Sequence, residues 1–276
     1  LTMYSGYLLY TNFSWPEILI SLLSWAVIYL VILTVKTNHS NKHIFLFALC
    51  TGYLYIIHQR LLGLVVSSII FIVVLFKFKK ITRKELALFL TTLLVMLILQ
   101  VFLKNIIQND LYVMSSATQK NDFSGQLVKI RLLTSPEGIK RIINVAVSQF
   151  FYVGISSCFL AYIGLYEIYQ GIRYSIKTRK FGDFHFLLYF FVLLVYIFSQ
   201  AISVLSLIKY SRIDHLAYGR YTGNWIMPLT MLGLYHIVRT PKKKVFCEMI
   251  FVICLGAGLG VIFQKILADS GLKSFV

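Results

Sequence analysis

The sequence predicts an all-α membrane protein, a polytopic bundle of about eight transmembrane helices. Of its 276 residues, 58% are hydrophobic and only 13% are charged, which is too apolar for a soluble domain. The apolar residues form continuous runs, some of about 20 residues, and such runs cross a membrane as helices. Because no repeat of fixed period divides the pattern, residues 1–276 are expected to form a single membrane domain.

The first predicted span covers residues 15–35, where Ser14 can cap the helix and Pro16 fits its first turn. The second, at residues 43–58, turns through Gln59 and Arg60 into a third that ends at Lys77. The remaining spans are expected at residues 85–103, 150–169, 186–208, 225–238 and 245–267.

The stretch before the fifth span has a different pattern. From Gly138 onward, apolar residues such as Ile139, Ile142 and Ile143 recur at helical spacing around Lys140 and other basic positions. This spacing predicts an amphipathic helix at the membrane interface that leads into span five.

A net charge of +17 could indicate a nucleic-acid partner, but the basic residues lie mostly in short connections between apolar runs. That placement follows the positive-inside rule, so we assign the charge to topology and to anionic lipids, with no nucleic acid. The compact basic connections are residues 36–42, 77–84, 173–180 and 239–244. If they face the cytoplasm, both termini are extracytoplasmic in a multi-pass plasma-membrane protein.

The acidic residues Glu85, Glu167, Asp183 and Glu248 fall near the basic side of this topology. There they are expected to pair with Lys and Arg and to have a structural role.

On the opposite, outward side of this topology, polar residues lie at the ends of several predicted helices. Charged residues beside membrane spans are costly, so such a group indicates a functional site. The candidates for substrate binding are Glu17, His58, Arg60, Gln149, Tyr152, Asp214, Tyr218, Arg220 and Tyr221, and His215 lies on the same side. Arginine binds phosphate oxygens in a bidentate manner, and tyrosine packs on sugar rings while donating to hydroxyls. The site therefore suits a phosphate-bearing, hydroxylated ligand.

Two roles in this set stay open. Asp214 could accept a proton from an attacking hydroxyl, or it could pair with Arg220 and fix the loop. Arg60 follows a short second span, so it could be recessed toward water or an anion, or it could extend to lipid headgroups.

The segment RIDHLAYGRYTGNWIMPLTMLGLY, residues 212–235, resembles the D-x-L-x-Y-G-R-Y motif and following helix of bacterial GT-C membrane glycosyltransferases, as in family 39. Other resemblances follow in order: Trp15-Pro16-Glu17 resembles a segment ending in an acid, His58-Gln59-Arg60 an H-P-R turn, and the Gln149–Tyr152 stretch a G-Q-x-x-Y helix entry. The chain departs from the pattern at Gln59, Ser148 and Thr222.

This resemblance implies transfer of a sugar from a polyprenyl-phosphate donor to an acceptor glycan, lipid or protein at the extracytoplasmic face. It also implies that the chain is the C-terminal portion of a longer protein, with the catalytic base in a preceding outer loop. A divalent metal requirement stays open, since the sequence identifies no metal site.

Two other functions are compatible with the sequence. A surface-polysaccharide polymerase also combines many helices with arginines near a lipid-linked sugar. A lipid-linked-sugar transporter or flippase would be expected to have charged or broken helices near the midplane and repeated halves.

Overall fold

The structure is a computed structural model that describes residues 16–37, 40–106, 134–208, 216 and 222–270. Within these residues the α-helices are α1 Pro16–Lys36, α2 Asn41–Ile57, α3 Leu62–Lys77, α4 Arg83–Ile106, α5 Pro136–Ser156, α6 Leu160–Thr178, α7 Phe184–Leu207, α8 Gly223–Arg239 and α9 Lys242–Ser270. A short 3-10 turn, Gln59–Leu61, joins α2 to α3. The prediction of an all-α fold is confirmed.

Within the described part of the chain, five segments are long and apolar enough to cross a membrane, namely α1, the turn with α3, α4, α7 and α9. The pair of α5 and α6 makes a sixth if it counts as one span. The chain is therefore a membrane protein, but the predicted count of eight spans is not confirmed. Helices α2 and α8 have 17 residues each, which corresponds to about 26 Å of helix.

The fifth span was predicted as one helix over residues 150–169, and this is wrong. Helices α5 and α6 meet at an angle of 104°. Cys158 and Phe159, between the helices, have φ values of 48° and 64°, in the left-handed region that ends an α-helix. The predicted amphipathic helix is continuous with the first part of that span, as α5.

Ser157 stabilises this bend from both sides. Its hydroxyl donates to the carbonyl of Val153 at 2.7 Å and accepts from the backbone N–H of Ala161 at 3.2 Å. Tyr162 folds back over the junction, donating its phenol to the carbonyl of Phe150 at 2.7 Å. These side-chain hydrogen bonds add to backbone ones, such as that from the N–H of Phe159 to the carbonyl of Gly154, and the turn contains neither glycine nor proline.

The basic connections meet at one end of the bundle, which we call the basic end. Phe78 stacks on Phe181 with ring centroids 6.3 Å apart, and the ammonium of Lys36 lies 5.1 Å from the ring centroid of Phe184. The opposite end, called the polar end, contains the Gln59–Leu61 turn and the starts of α1 and α8.

Glycines set the closest helix contacts. At Gly164 on α6 and Gly233 on α8, an added Cβ would overlap the backbone carbonyls of Leu229 and Leu160, so the two backbones touch. Such contacts are typical of membrane helices. Because lipid is as apolar as the helix surfaces, association there depends on close packing and not on the hydrophobic effect. Gly256 on α9 packs against the ring of Phe159 at the bend, where an added Cβ would overlap the ring.

Candidate functional site

Four of the predicted site residues have described side chains: His58, Arg60, Gln149 and Tyr152. Glu17 lies in the first turn of α1, and the structure does not describe its side chain. The described residues do not include four more of the predicted site residues, Asp214, Tyr218, Arg220 and Tyr221, nor His215 beside them.

Gln149 is completely buried on α5 and pairs with Gln200 on α7. The Nε2 of Gln200 donates to the Oε1 of Gln149 at 2.9 Å. A buried amide pair inside a membrane bundle is costly unless both amides are satisfied, so it indicates a specific role. Tyr152 follows one turn later on α5 and packs against the aromatic cluster around Tyr162 and Tyr196.

The turn that contains His58 and Arg60 packs against the same helix, α7. The Nδ1 of His58 accepts from the backbone N–H of Arg60 at 3.3 Å and so begins the 3-10 turn. Just after the turn, Gly63 touches the backbone of Ser199, one residue before Gln200. The structure therefore brings the His58-Arg60 turn and Gln149 to neighbouring parts of α7.

The facing side of α7 is polar over two turns. Tyr196, Ser199, Gln200 and Ser203 recur at positions i, i+3, i+4 and i+7 and so share one face. Together with Gln149 we call these residues the polar layer. Five of their atoms are buried and have no hydrogen-bond partner within the described part of the chain: Tyr196 Oη, Ser199 Oγ, Gln200 Oε1, Ser203 Oγ and Gln149 Nε2.

Unpaired buried polar atoms cost about 1–3 kcal/mol each, so native proteins keep few of them without a function. The polar layer can both donate and accept hydrogen bonds, since it contains amide and hydroxyl groups. It is therefore chemically suited to a ligand with several hydroxyls.

A second buried polar contact ties α1 to α8 at the polar end. The hydroxyl of Ser21 donates to the Oδ1 of Asn224 at 2.6 Å, and both side chains are buried. Trp225, the next residue, is fully buried. This contact fixes the start of α8, the helix that follows the 214–221 segment.

Leu216 is the described residue of the 214–221 segment, and it is fully buried. It packs in one cluster with Val145, Val204 and Ile266. Val145 lies one helical turn before Gln149, and Val204 lies one turn after Gln200. Leu216 thus packs against residues that lie one helical turn from the amide pair.

No match to this chain is found among protein-family models, curated proteins or solved structures. The properties of the site therefore follow from its own residues.

A second buried polar cluster, which the sequence did not predict, is centred on His236 of α8. Its Nδ1 lies 2.6 Å from Glu167 Oε2 on α6, and its Nε2 lies 2.8 Å from Glu248 Oε2 on α9. Tyr189 on α7 donates to the other oxygen of Glu167 at 2.8 Å. We call these four residues the His236 cluster.

The acids near the basic side were expected to pair with Lys and Arg and to have a structural role. Glu248 has such a cation, whereas Glu167 and Asp183 are bound by other groups. Glu167 and Glu248 both bind His236, and the ammonium of Lys244 lies 3.8 Å from the Oε1 of Glu248. Glu85 forms a capping box at the start of α4, accepting from the Thr82 backbone N–H at 2.7 Å. Asp183 caps α7 by accepting from the backbone N–H of His185 at 3.1 Å.

Each contact of the imidazole with a carboxylate needs one proton, because an ionised carboxylate only accepts. Two protons shared among one imidazole and two carboxyls leave one negative charge, which Lys244 can balance. Both ring nitrogens are occupied, and no group of His, Cys, Asp or Glu within the described residues is arranged to hold a metal ion.

The signal for this cluster was too weak to find in the sequence. His236 lies in an apolar stretch, 69 residues from Glu167 along the chain, and a lone histidine there predicts no partner. The glycines Gly164 and Gly233 were the available clue, since small residues indicate where two membrane helices touch.

Proposed function

We propose that this chain forms the membrane domain of a glycosyltransferase that moves a sugar from a polyprenyl-phosphate donor to an acceptor glycan, lipid or protein. In this proposal the polar end faces the extracytoplasmic side of the plasma membrane, and the basic end with its Lys and Arg connections faces the cytoplasm. Both termini of the chain are then extracytoplasmic.

The observation that carries the proposal is the packing of Leu216 one turn from the Gln149–Gln200 pair. It supports a single site that includes the polar layer, the turn with Arg60 and the 214–221 segment. A sugar presents several hydroxyls, which match the amide and hydroxyl groups of the polar layer. A phosphate can bind the guanidinium groups, since one arginine donates two parallel hydrogen bonds to two phosphate oxygens.

Roles for individual residues follow from this arrangement. Arg60 and Arg220 bind the donor phosphate, and Tyr152, Tyr218 and Tyr221 contact the sugar. The remaining predicted residues shape the cavity: Glu17, His58, Gln149 and Asp214. In the reaction, an acceptor hydroxyl attacks the anomeric carbon, the new glycosidic bond forms, and the bond to phosphate oxygen breaks.

Polyprenyl phosphate leaves with the bonding electrons, and the arginines stabilise the negative charge that develops on its oxygen. The proton of the attacking hydroxyl passes to a carboxylate base. None of the described residues is assigned that role.

The test is transfer of radiolabel by the full-length protein in proteoliposomes, using a panel of polyprenyl-phosphate sugars and acceptors. We expect label in a new product, and Arg60→Ala should lower kcat/KM at least about tenfold because a phosphate contact is lost. Arg173→Ala is the matched control, because Arg173 is exposed at the far end of α6. Unchanged transfer by Arg60→Ala at subsaturating donor contradicts the role of Arg60.

A lipid-linked-sugar transporter is the second candidate, because the bent pair of α5 and α6 and the buried His236 cluster are features of transporters. The same proteoliposomes separate the candidates. Label that crosses the bilayer without forming a product supports the transporter, and a ladder of lengthening products supports a surface-polysaccharide polymerase.

A further inference from the structure

An apolar crevice opens between α1, α7 and α8, away from the polar layer. Its volume is about 270 Å³, and its walls include Trp25 on α1, Leu188 on α7 and Met231 on α8. Two aromatic residues at the basic end, Phe184 and Tyr235, complete the wall. None of the described residues that line the crevice is acidic.

Both of these aromatic rings hold a cation. The ammonium of Lys36 lies 5.1 Å from the ring centroid of Phe184. The guanidinium carbon of Arg239 lies 5.0 Å from the ring centroid of Tyr235, and Arg239 also donates to the Tyr235 hydroxyl. A cation at this distance over an aromatic face is attracted to the ring, so both charges are held beside the crevice.

The nearest acids have other partners. Asp183 caps the start of α7, and Glu167 accepts from Tyr189 and contacts His236. Asp183 keeps its negative charge as a cap, but it is one carboxylate near two cations, Lys36 and Arg239, and the interior of the crevice is apolar.

We propose that this crevice binds one anionic phospholipid, with an acyl chain against Trp25, Leu188 and Met231 and the headgroup phosphate between Lys36 and Arg239. Anionic lipid is favoured over zwitterionic lipid because two cations, Lys36 and Arg239, lie beside the headgroup position. This site does not depend on the proposed glycosyl transfer, since none of its residues belongs to the polar layer.

The binding test uses native mass spectrometry of the intact protein in detergent, titrated with phosphatidylglycerol or phosphatidylcholine of identical acyl chains. We expect phosphatidylglycerol to bind at least about tenfold more tightly, and the double variant Lys36→Gln/Arg239→Gln to lose most of that preference. The matched control is Lys177→Gln/Lys180→Gln, which removes two exposed cations from the end of α6 and the residues after it. It should keep the preference.

A second measurement locates the acyl chain. Phosphatidylglycerol with brominated acyl chains should quench Trp25 fluorescence, taken as the difference between the wild type and Trp25→Phe. The double charge variant should lose this quenching at the same lipid concentration.

Three results would overturn the proposal. One is equal binding of the two lipids by the wild type, and another is equal loss of preference in both double variants, which would indicate general surface charge. The third is displacement of phosphatidylglycerol from the crevice by equimolar polyprenyl phosphate, which would make it a site for the carrier lipid.

Discussion

The Nδ1 of His236 lies 2.6 Å from the Oε2 of Glu167, where Gly164 and Gly233 bring the backbones of α6 and α8 into contact. Through its other nitrogen, His236 also reaches Glu248 on α9. One imidazole therefore links three helices, and only 3% of its side chain is exposed.

Replacing His236 by leucine should destabilise the protein by about 3 kcal/mol, because two largely buried carboxylates lose their shared partner. Thermal unfolding in detergent, followed by tryptophan fluorescence, measures the change. Arg141→Ala is the control. It breaks the exposed pair with Glu137 and should cost less than about 0.5 kcal/mol.

Adding Glu167→Gln and Glu248→Gln to His236→Leu removes the unpaired charges, so stability should partly return. If the triple variant is as unstable as His236→Leu alone, uncompensated charge is not the cause of the lost stability.

Gly233→Ala should cost about 1–3 kcal/mol, because the new methyl group overlaps the carbonyl of Leu160 and forces α6 and α8 apart. Gly258→Ala on α9 is the matched control, since a Cβ there meets nothing within 4 Å. It should gain up to about 1 kcal/mol from helix propensity. Equal effects of the two substitutions on the unfolding temperature would contradict the close crossing.

Cys158→Gly tests the bend, because Cys158 is exposed and has a φ of 48°. Glycine adopts this conformation without strain, so we expect a gain of up to about 1 kcal/mol in stability. Cys254→Gly, at an exposed cysteine inside α9, should instead lose about 1 kcal/mol. The bend is not supported if both substitutions destabilise the protein equally.

The Gln149–Gln200 pair offers a test that separates stability from ligand binding. Gln149→Leu alone should destabilise the bundle by about 1–3 kcal/mol, since it leaves the Gln200 amide unpaired. The double variant Gln149→Leu/Gln200→Leu should be near wild type, because neither amide then remains buried.

The same double variant should lose about tenfold in transfer from a polyprenyl-phosphate sugar if the polar layer binds the donor. A stable double variant with full activity would limit this pair to a structural role.

Hydropathy predicted most of the helices because continuous apolar runs need no tertiary context. The prediction of one continuous fifth span was wrong because the bend within it is stabilised by hydrogen bonds of Ser157 and of the Tyr162 phenol. The residues Ser156-Ser157-Cys158-Phe159 give no glycine or proline signal.

The candidate site could likewise be predicted only in part. Gln149 could be selected from its motif, but its partner Gln200 could not, since 51 residues separate them. The basic residues also favoured an ion-pair role for Glu167, whereas helix packing selects His236. Pairings of this kind depend on which helices touch, and apolar periodicity does not determine that.

The ring of Phe159 in the notch at Gly256 also constrains how the protein assembles. Helix α9 follows the other described helices in the chain, and Gly256 can receive this ring only once the backbone has turned at Cys158. Glu248 likewise needs α6 and α8 already paired around His236. We therefore expect α9 to pack against the bundle last. An error in the turn between α5 and α6 would then leave α9 unpacked in the lipid, where membrane proteases can cleave it.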